Sequence, residues 1–368
     1  MLGPIIFLVS LLMPKKKDRI IFGEWFGKTR GDSPYLMYTY ARKMGKDVYF
    51  ITKTSLNDCK QDENVLYAYS LKGIGVQLTA KIFICNVNCR DYYPFAVTPR
   101  NILVQNGHGP AIKAAFQSRM TKIERIKNLI RTSTVEKYTH AISPHATHDA
   151  SCADQWKVSL KNIIRAPDAR CDQLLLNSSE RDKLRFNFDA PAGKKVVLYC
   201  PTHRNEGKDV SSILIGRQKI FEALKNKYND NFVLITKPHS YDYHKMSECL
   251  SGQNMVVTES FTSFELMAAS DLMISDYSGI VYDYSYLKKP IICFAFDYDT
   301  YREKSRSLLI QLDDLFNCVC YNENEISISL SEEILSRATL KVDVTDGNTL
   351  GELSKKAFQN IEKKLCLI

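Results

Sequence analysis

The sequence has no Cys-x-x-Cys pair and no Cys/His cluster with zinc-ligand spacing, although it carries 11 cysteines. That odd number lies scattered, several in apolar runs such as KIFIC, VVLYC and IICF. Buried free thiols in reducing surroundings account for them better than a disulfide framework or a cysteine-built metal site. The N-terminal apolar run, Leu2 to Met13, falls short of the roughly 20 residues that a membrane-spanning helix needs. No internal repeat of about 20–50 residues and no low-complexity tract is visible. The positive charge is not gathered into a recognisable DNA- or RNA-binding module, so no nucleic-acid partner is expected.

What is present is an ordinary globular composition, 45% apolar and 25% charged, on 368 residues. That length is large for one hydrophobic core and favours two domains. The formal charge of +9 suits an anionic partner, or a merely basic, solvated surface. At the N-terminus, MLGPIIFLVSLLMPKKKDR sets its positive charge after the apolar run, whereas a secretory signal sets it before. An apolar segment followed by Lys15, Lys16, Lys17 and Arg19 fits a helix lying in the interface of an anionic membrane, and the alternative is a core helix that opens the chain.

From residue 19 onward, short β-rich runs alternate with helix-compatible stretches. RIIFGEWF, DVYFIT, NVLYAYS, KIFICNV, NILVQN and THAIS read as strands, and SPYLMYTYARKMG reads as a helix ending at Gly45. A polar stretch within 171–194 marks a domain boundary. The pattern then restarts with VVLYC, NFVLIT, NMVVTE, LMIS and IICF as strands, and FEALKNKYN and IVYDYSYLK as helices. LGELSKKAFQNIEKKLCLI reads as an amphipathic final helix. The expected architecture is α/β, with two Rossmann-like doubly wound domains facing a cleft and a short N-terminal membrane-associating segment. Its parts are expected at 1–18 (membrane-surface segment), 19–180, 190–345 and 346–368 (final helix).

In open α/β sheets ligands bind beyond the carboxyl ends of the strands, so the residues directly after each strand carry the information. Four such turns stand out. In NILVQ-NGHGP, Gly107 and Gly109 bracket His108, and Pro110 stands where a helix would begin. A helix N-terminus disfavours imidazole protonation, making His108 a proton acceptor, or else a histidine satisfying local turn bonds. In VVLYC-PTHR, Thr202, His203 and Arg204 project from the loop after the strand, where Arg204 suits a bidentate grip on phosphate, or the three form a charged surface loop. In FVLIT-KPHS, Lys237 and His239 flank Pro238 as a candidate diphosphate clamp. In LMIS-DYSG, Ser275, Asp276 and Ser278 precede a helix, with Ser278 or Gly279 as its N-cap. Free N–H groups there suit an anion, although capping alone would explain Ser278. His140, His145 and His148 lack the carboxylate pattern of a metal site.

Taken together, these turns resemble the CDP-glycerol glycerophosphotransferase family of teichoic-acid and related phosphopolyol synthesis, over roughly residues 15–320. IIFGEWFGKTRGDSPYLMYTY, LVQNGHGPAIK, YCPTHR, ITKPHS and SDLMISDYSGIVYDYSYLKKPIICFAFDYDTY carry the resemblance in order. Gly107 stands where the family has Trp, His203 where it has Phe, and RAPDARCDQLL interrupts a family motif.

The resemblance implies a GT-B arrangement and transfer of a polyol phosphate, most simply glycerol phosphate, from CDP-glycerol or CDP-ribitol to an acceptor hydroxyl, releasing CMP. The acceptor would be a lipid-linked primer or cell-surface glycan, and the enzyme would work peripherally at the cytoplasmic face of the membrane. His108 would be the base. His239, Lys237 and Arg204 would stabilise the diphosphate, with His239 an alternative proton donor to CMP. Gly107, Gly109, Thr202, Ser275, Asp276 and Ser278 would line the substrates. No cofactor is required, although a diphosphate donor could bring Mg2+. A nucleotide-sugar glycosyltransferase on the same fold, and a non-catalytic membrane-docked nucleotide-binding protein, are the alternatives.

Overall fold

The computed structural model describes residues 3–54, 62–110, 112–113, 137–176, 178–187, 190, 193–204, 210–239, 242–250, 255–256, 261–304, 307–342 and 349–367. The chain divides into two compact units. The first comprises residues 1–110, 116–172 and 351–368, and the second 111–115 and 173–350.

The first unit is a seven-stranded parallel sheet: β1 (Lys16–Phe22), β2 (Val48–Thr52), β3 (Val65–Tyr67), β4 (Ala80–Cys85), β5 (Ile102–Gln105), β6 (His140–Ser143) and β7 (Ile163–Arg165). Their spatial order is β3-β2-β1-β4-β5-β6-β7. Successive strand side chains point to opposite faces, so a sheet covered on both sides needs uninterrupted apolar runs. Ile20, Phe22, Ile82 and Ile84 accordingly pack into one core, while Ile21, Phe83 and Cys85 pack into another on the opposite face.

The helix Ser33–Lys43 starts where the Asp32 side chain accepts from the Ser33 N–H, and Arg42 and Lys43 stand in its last turn. It packs against the final helix, Leu353–Leu365, which buries Leu353, Ala357, Phe358 and Ile361. Those four lie on one face because i, i+4, i+5 and i+8 meet on a helix of 3.6 residues per turn. The final helix therefore belongs to the first unit and does not stand as a segment of its own. Asp172 fastens it, accepting from the Leu353 and Ser354 N–H groups at 3.1 and 2.9 Å.

The second unit repeats the plan with six parallel strands: β8 (Lys195–Cys200), β9 (Phe232–Thr236), β10 (Met255–Val256), β11 (Leu272–Ser275), β12 (Ile291–Phe294) and β13 (Val319–Cys320). Their order is β10-β9-β8-β11-β12-β13, the doubly wound arrangement whose order reverses between β8 and β11. The helix Ser211–Tyr228 lays Ile213, Ile220 and Leu224 on one face of this sheet, against Val197, Tyr199 and Leu234. The two short strands β7 and β13 were not marked in the sequence reading, since two or three apolar residues give no periodicity to read.

At the N-terminus a helix spans Gly3–Leu12 and is held to the first unit by Ser10 Oγ donating to the Ala96 carbonyl at 2.6 Å. Ile5, Leu8, Val9 and Leu12 remain exposed, with Leu12 at 80%. Among the described residues no helix is long and apolar enough to cross a membrane. Two of the four basic residues expected on a membrane surface are bound within the fold. Lys15 donates to the Leu78 carbonyl and to Ser10, and Arg19 pairs with Asp47. Lys16 and Lys17 stay exposed.

Candidate functional site

In each unit the strand order reverses once, between β1 and β4 and between β8 and β11, and the loops leaving those strands form the crevice where ligands gather. The two units bridge this crevice alike. In the first, the Trp25 N–H beyond β1 donates to Asn86 Oδ1 beyond β4 at 3.0 Å. In the second, the Thr202 N–H beyond β8 donates to Asp276 Oδ1 beyond β11 at 2.9 Å.

In the first unit, Asp32 ties the loops together. It accepts from Trp25 Nε1 at 2.7 Å and from Asn86 Nδ2 at 2.9 Å while capping its own helix. Asp91 accepts from the Phe26, Asn86 and Val87 N–H groups. Glu24 is fully buried and accepts from the Asp32 and Tyr35 N–H groups. Burial, with Asp32 and Asp91 adding to it, raises the Glu24 carboxyl to about 8. Burial also raises Asp91 to about 6. Trp25 and Phe26 adopt φ of 46° and 60°, a left-handed conformation uncommon outside glycine. Such backbone is held only where surrounding contacts over-determine it, and here it aims the Trp25 ring.

That ring lies against His108, centroids 5.5 Å apart and planes tilted by 46°. His108 is exposed, with the Trp25 ring against it. Desolvation first and the Arg170 guanidinium second hold its pKa below the ordinary imidazole value, with Asp32 and Asp168 opposing. The helix expected to begin at Pro110 falls on residues 111 and 114–136, which lie outside the described residues; Lys113 forms an antiparallel bridge with Leu308. Arg170 is buried, pairs with Asp168 at 3.4 Å and lies 3.9 Å from Asp32. Its backbone N–H donates to Ser33 Oγ, which also bonds Asp168. Gly107 and Gly109 take φ of 66° and 102°, which the tight turn around His108 requires.

In the second unit, Arg204 is buried and donates to Asp297 at 2.8 and 3.2 Å, to Asp276 at 2.9 Å and to the Thr202 carbonyl at 2.6 Å. Its guanidinium lies over Tyr277 and Tyr301, which stack on each other 3.7 Å apart. Arg204 is thus an internal strut, where the sequence suggested a phosphate grip. Asp276 likewise faces inward, accepting from Thr202, Tyr277 and Arg204. Ser275 donates to the Cys200 carbonyl. Ser278 is half-exposed and lies 3.5 Å from the Ile280 N–H, at the start of a helix of six residues, Ile280–Ser285.

Thr202 Oγ1 is buried with no hydrogen-bond partner among the described residues, and the same holds for Thr236 Oγ1 at the carboxyl end of β9. Lys237 Nζ donates to the Phe261 carbonyl at 3.3 Å, and His239 is exposed. The His203 and His239 rings lie 5.6 Å apart, and His203 Nδ1 is bonded to the buried Asp242.

The other histidine cluster satisfies local bonds. His145 Nδ1 pairs with the Thr147 hydroxyl, and burial plus His145 pushes His148 down to about 4. Among the described residues no group of three or more His, Cys, Asp or Glu could hold a metal ion.

Sequence alone assigns no individual role to Glu24, Trp25, Asn86, Asp91, Asp242 or Asp297, and marks Asp32, Asp168 and Arg170 only as parts of longer motifs. For Trp25 and Asn86 the signal was available, since each follows a strand at the reversal point. The others enter through contacts between segments distant in sequence.

A family model described as CDP-glycerol:poly(glycerophosphate) glycerophosphotransferase matches residues 5–345. A teichoic acid poly(glycerol phosphate) polymerase of Bacillus spizizenii is 27% identical over 334 residues, 82% of this chain and 80% of the relative. A teichoic acid glycerol-phosphate transferase of Staphylococcus aureus is 24% identical over 308 residues, 79% of this chain and 77% of the relative. Among solved structures, that of the wall teichoic acid polymerase TagF superposes with a TM-score of 0.67 at 20% identity, covering 98% of this chain and 88% of that one, a likeness of fold.

Proposed function

The chain belongs to the CDP-glycerol:poly(glycerophosphate) glycerophosphotransferase family, and from that premise we propose how its residues carry the transfer of a polyol phosphate from a CDP-linked donor to a teichoic-acid-like acceptor. The reaction is attack of an acceptor hydroxyl on the phosphorus that bears the polyol, with CMP departing. It needs a base for the hydroxyl proton and a place for the charge on the diphosphate.

The observation that carries the reading is the setting of His108. A base must be neutral before it acts, and burial together with Arg170 favours the neutral ring. A neutral imidazole carries one N–H and one nitrogen lone pair, and that lone pair takes the hydroxyl proton. The second unit takes the donor. Thr202 and Thr236 offer buried hydroxyls to phosphate oxygens. Lys237 and His239 supply donors at the end of β9, and Ser278 with the N–H groups after it supplies more. Arg204 and Asp276 hold these loops in place without touching the donor themselves.

Glycerol phosphate is the favoured group, since the two relatives reported above, one a polymerase and one a transferase, are named for glycerol phosphate. The assay is CMP release from CDP-glycerol and CDP-ribitol, with UDP-sugars in parallel and membrane extract as acceptor. CMP from one CDP-polyol identifies the polyol. UDP release without CMP would replace this reading by glycosyl transfer.

Ile5, Leu8, Val9 and Leu12 sit at i, i+3, i+4 and i+7, one exposed apolar face, with Lys16 and Lys17 beyond it. This face docks the enzyme on the anionic cytoplasmic leaflet, where a lipid-linked acceptor is found. Sedimentation with anionic vesicles tests it: L8E/L12E should abolish binding without lowering the melting temperature, and unchanged binding would refute it.

A further inference from the structure

A run of aromatic side chains in the first unit leads from the N-terminal helix to His108. It starts at Phe95, in the turn Pro94–Ala96. A Cβ on Gly3 of the helix Gly3–Leu12 would lie 2.5 Å from the Phe95 ring, so helix and ring are in close contact. From there the Phe95, Tyr93, Tyr69 and Tyr67 rings follow one another edge to face, with centroids 5.8, 5.4 and 5.6 Å apart. Lys53 Nζ lies 5.9 Å over the Tyr69 ring, and the Lys53 N–H donates to the Gly27 carbonyl at 2.7 Å. Gly27 follows Trp25 and Phe26, and Trp25 lies against His108. Tyr67 ends β3, Lys53 follows β2 and Trp25 lies beyond β1, three strands adjacent in the sheet.

Packing alone does not call for this arrangement. Tyr69 is 47% exposed, and Trp25 and Phe26 are 37% exposed each, although every one of these rings would gain by burial. Trp25 and Phe26 also occupy left-handed backbone, kept in place by the Phe26 N–H bond to Asp91 and the Trp25 Nε1 bond to Asp32. Large rings held partly open in a fixed geometry make a surface for a ligand with apolar faces. A glycerol phosphate chain has no such face, being a flexible string of hydroxyls and negative charges. A pyranose has one, a flat array of C–H bonds that lies on an aromatic ring while the hydroxyls stay in water.

We propose that this aromatic run is the track on which the sugar portion of a membrane-linked acceptor lies, from the N-terminal helix to His108. The proposal rests on the phosphotransfer reading and names its acceptor: a glycan whose rings stack on Tyr69 and Tyr93 and whose terminal hydroxyl reaches His108 beside Trp25. The run begins against the helix that exposes Ile5, Leu8, Val9 and Leu12, and this sets its direction. The lipid end of the acceptor lies at the apolar helix face, and the reacting end lies at the base.

The test pairs binding with kinetics on wild type, Y69A, Y69F and Y93A, with a thermal melt of each. Saturation-transfer NMR is recorded with cellotriose and N,N′-diacetylchitobiose and, separately, with a glycerol phosphate trimer. The sugars should bind wild type and Y69F, which keeps the ring, and should bind Y69A and Y93A ~3–10-fold more weakly, the usual worth of one ring contact. The KM for acceptor in membrane extract should rise likewise, with the donor KM unchanged and sedimentation with phosphatidylglycerol vesicles as in wild type. A Y69A protein that loses the glycerol phosphate trimer and keeps the sugars would overturn the assignment in favour of a phosphopolyol track. Lost vesicle binding would overturn it by making the rings part of the membrane surface. Unchanged sugar binding and acceptor KM in Y69A would overturn it outright, and Y93A decides in the same way if Y69A fails to fold. A wild-type protein that releases no CMP defeats the phosphotransfer reading itself, while sugar binding still reports on the rings.

Discussion

A Cβ placed on Gly109 would lie 2.1 Å from Nη2 of Arg170. The turn carrying His108 thus lies directly against a cation that lowers the His108 pKa, and only a missing side chain lets them approach. At Gly107 the same test finds Trp156 as the nearest neighbour, at 3.9 Å.

These two glycines should therefore respond differently. Gly109→Ala must displace a buried guanidinium as well as strain the backbone, and should reduce CMP release far more than Gly107→Ala. The latter has room for the methyl group and carries only the left-handed strain of roughly 1–2 kcal/mol. Parallel kinetics and melts of the two variants decide this, and equal losses would mean that the Arg170 contact is unimportant.

Arg170→Gln removes a cation that depresses the His108 pKa. The histidine should then hold its proton to higher pH, so the acid limb of the kcat/KM profile should move upward. The profile is recorded at constant ionic strength. A shift downward, or none, would remove Arg170 from the account.

The sequence made the sheets legible because parallel strands buried on both faces must be continuous apolar runs, as in KIFIC and VVLYC. Turn residues after strands were legible for the same reason, since each run ends abruptly at His108, Thr202 or Asp276. Partnerships were not. That Arg204 is committed to Asp276 and Asp297, and that Ser33 meets Asp168, depends on which strands become neighbours. An arginine in a polar loop reads as a ligand grip until its two carboxylates are known. The departure at His203 is visible in the sequence, but its bond to Asp242 is not.

Arg204→Gln removes the cation from the Asp276 and Asp297 cluster together with the planar fork that makes four hydrogen bonds. Removing one partner from a buried charge cluster typically costs about 3–5 kcal/mol. A loss of that size in urea unfolding is expected, along with reduced activity. Full stability with selective loss of donor binding would instead return Arg204 to the role of phosphate ligand.

Glu24→Gln should flatten the pH dependence of stability. Because the folded-state pKa of Glu24 is raised to about 8, the protonated form is the one the fold favours. Its contribution is complete below the ordinary glutamate pKa and is lost as pH rises through 8. Wild type should therefore lose stability between pH 5 and 8 to an extent that the variant does not, as read by chemical denaturation at each pH. Parallel curves for the two proteins would show that Glu24 titrates normally.

The account rests most heavily on His108 as the base. The measurement that reaches it most directly is single-turnover CMP release from CDP-glycerol by His108→Gln, with donor affinity measured by calorimetry on the same preparation. The rate should fall by ~10²–10⁴-fold while the donor Kd stays at the wild-type value. Wild-type turnover in the variant, with the donor bound normally, would contradict it.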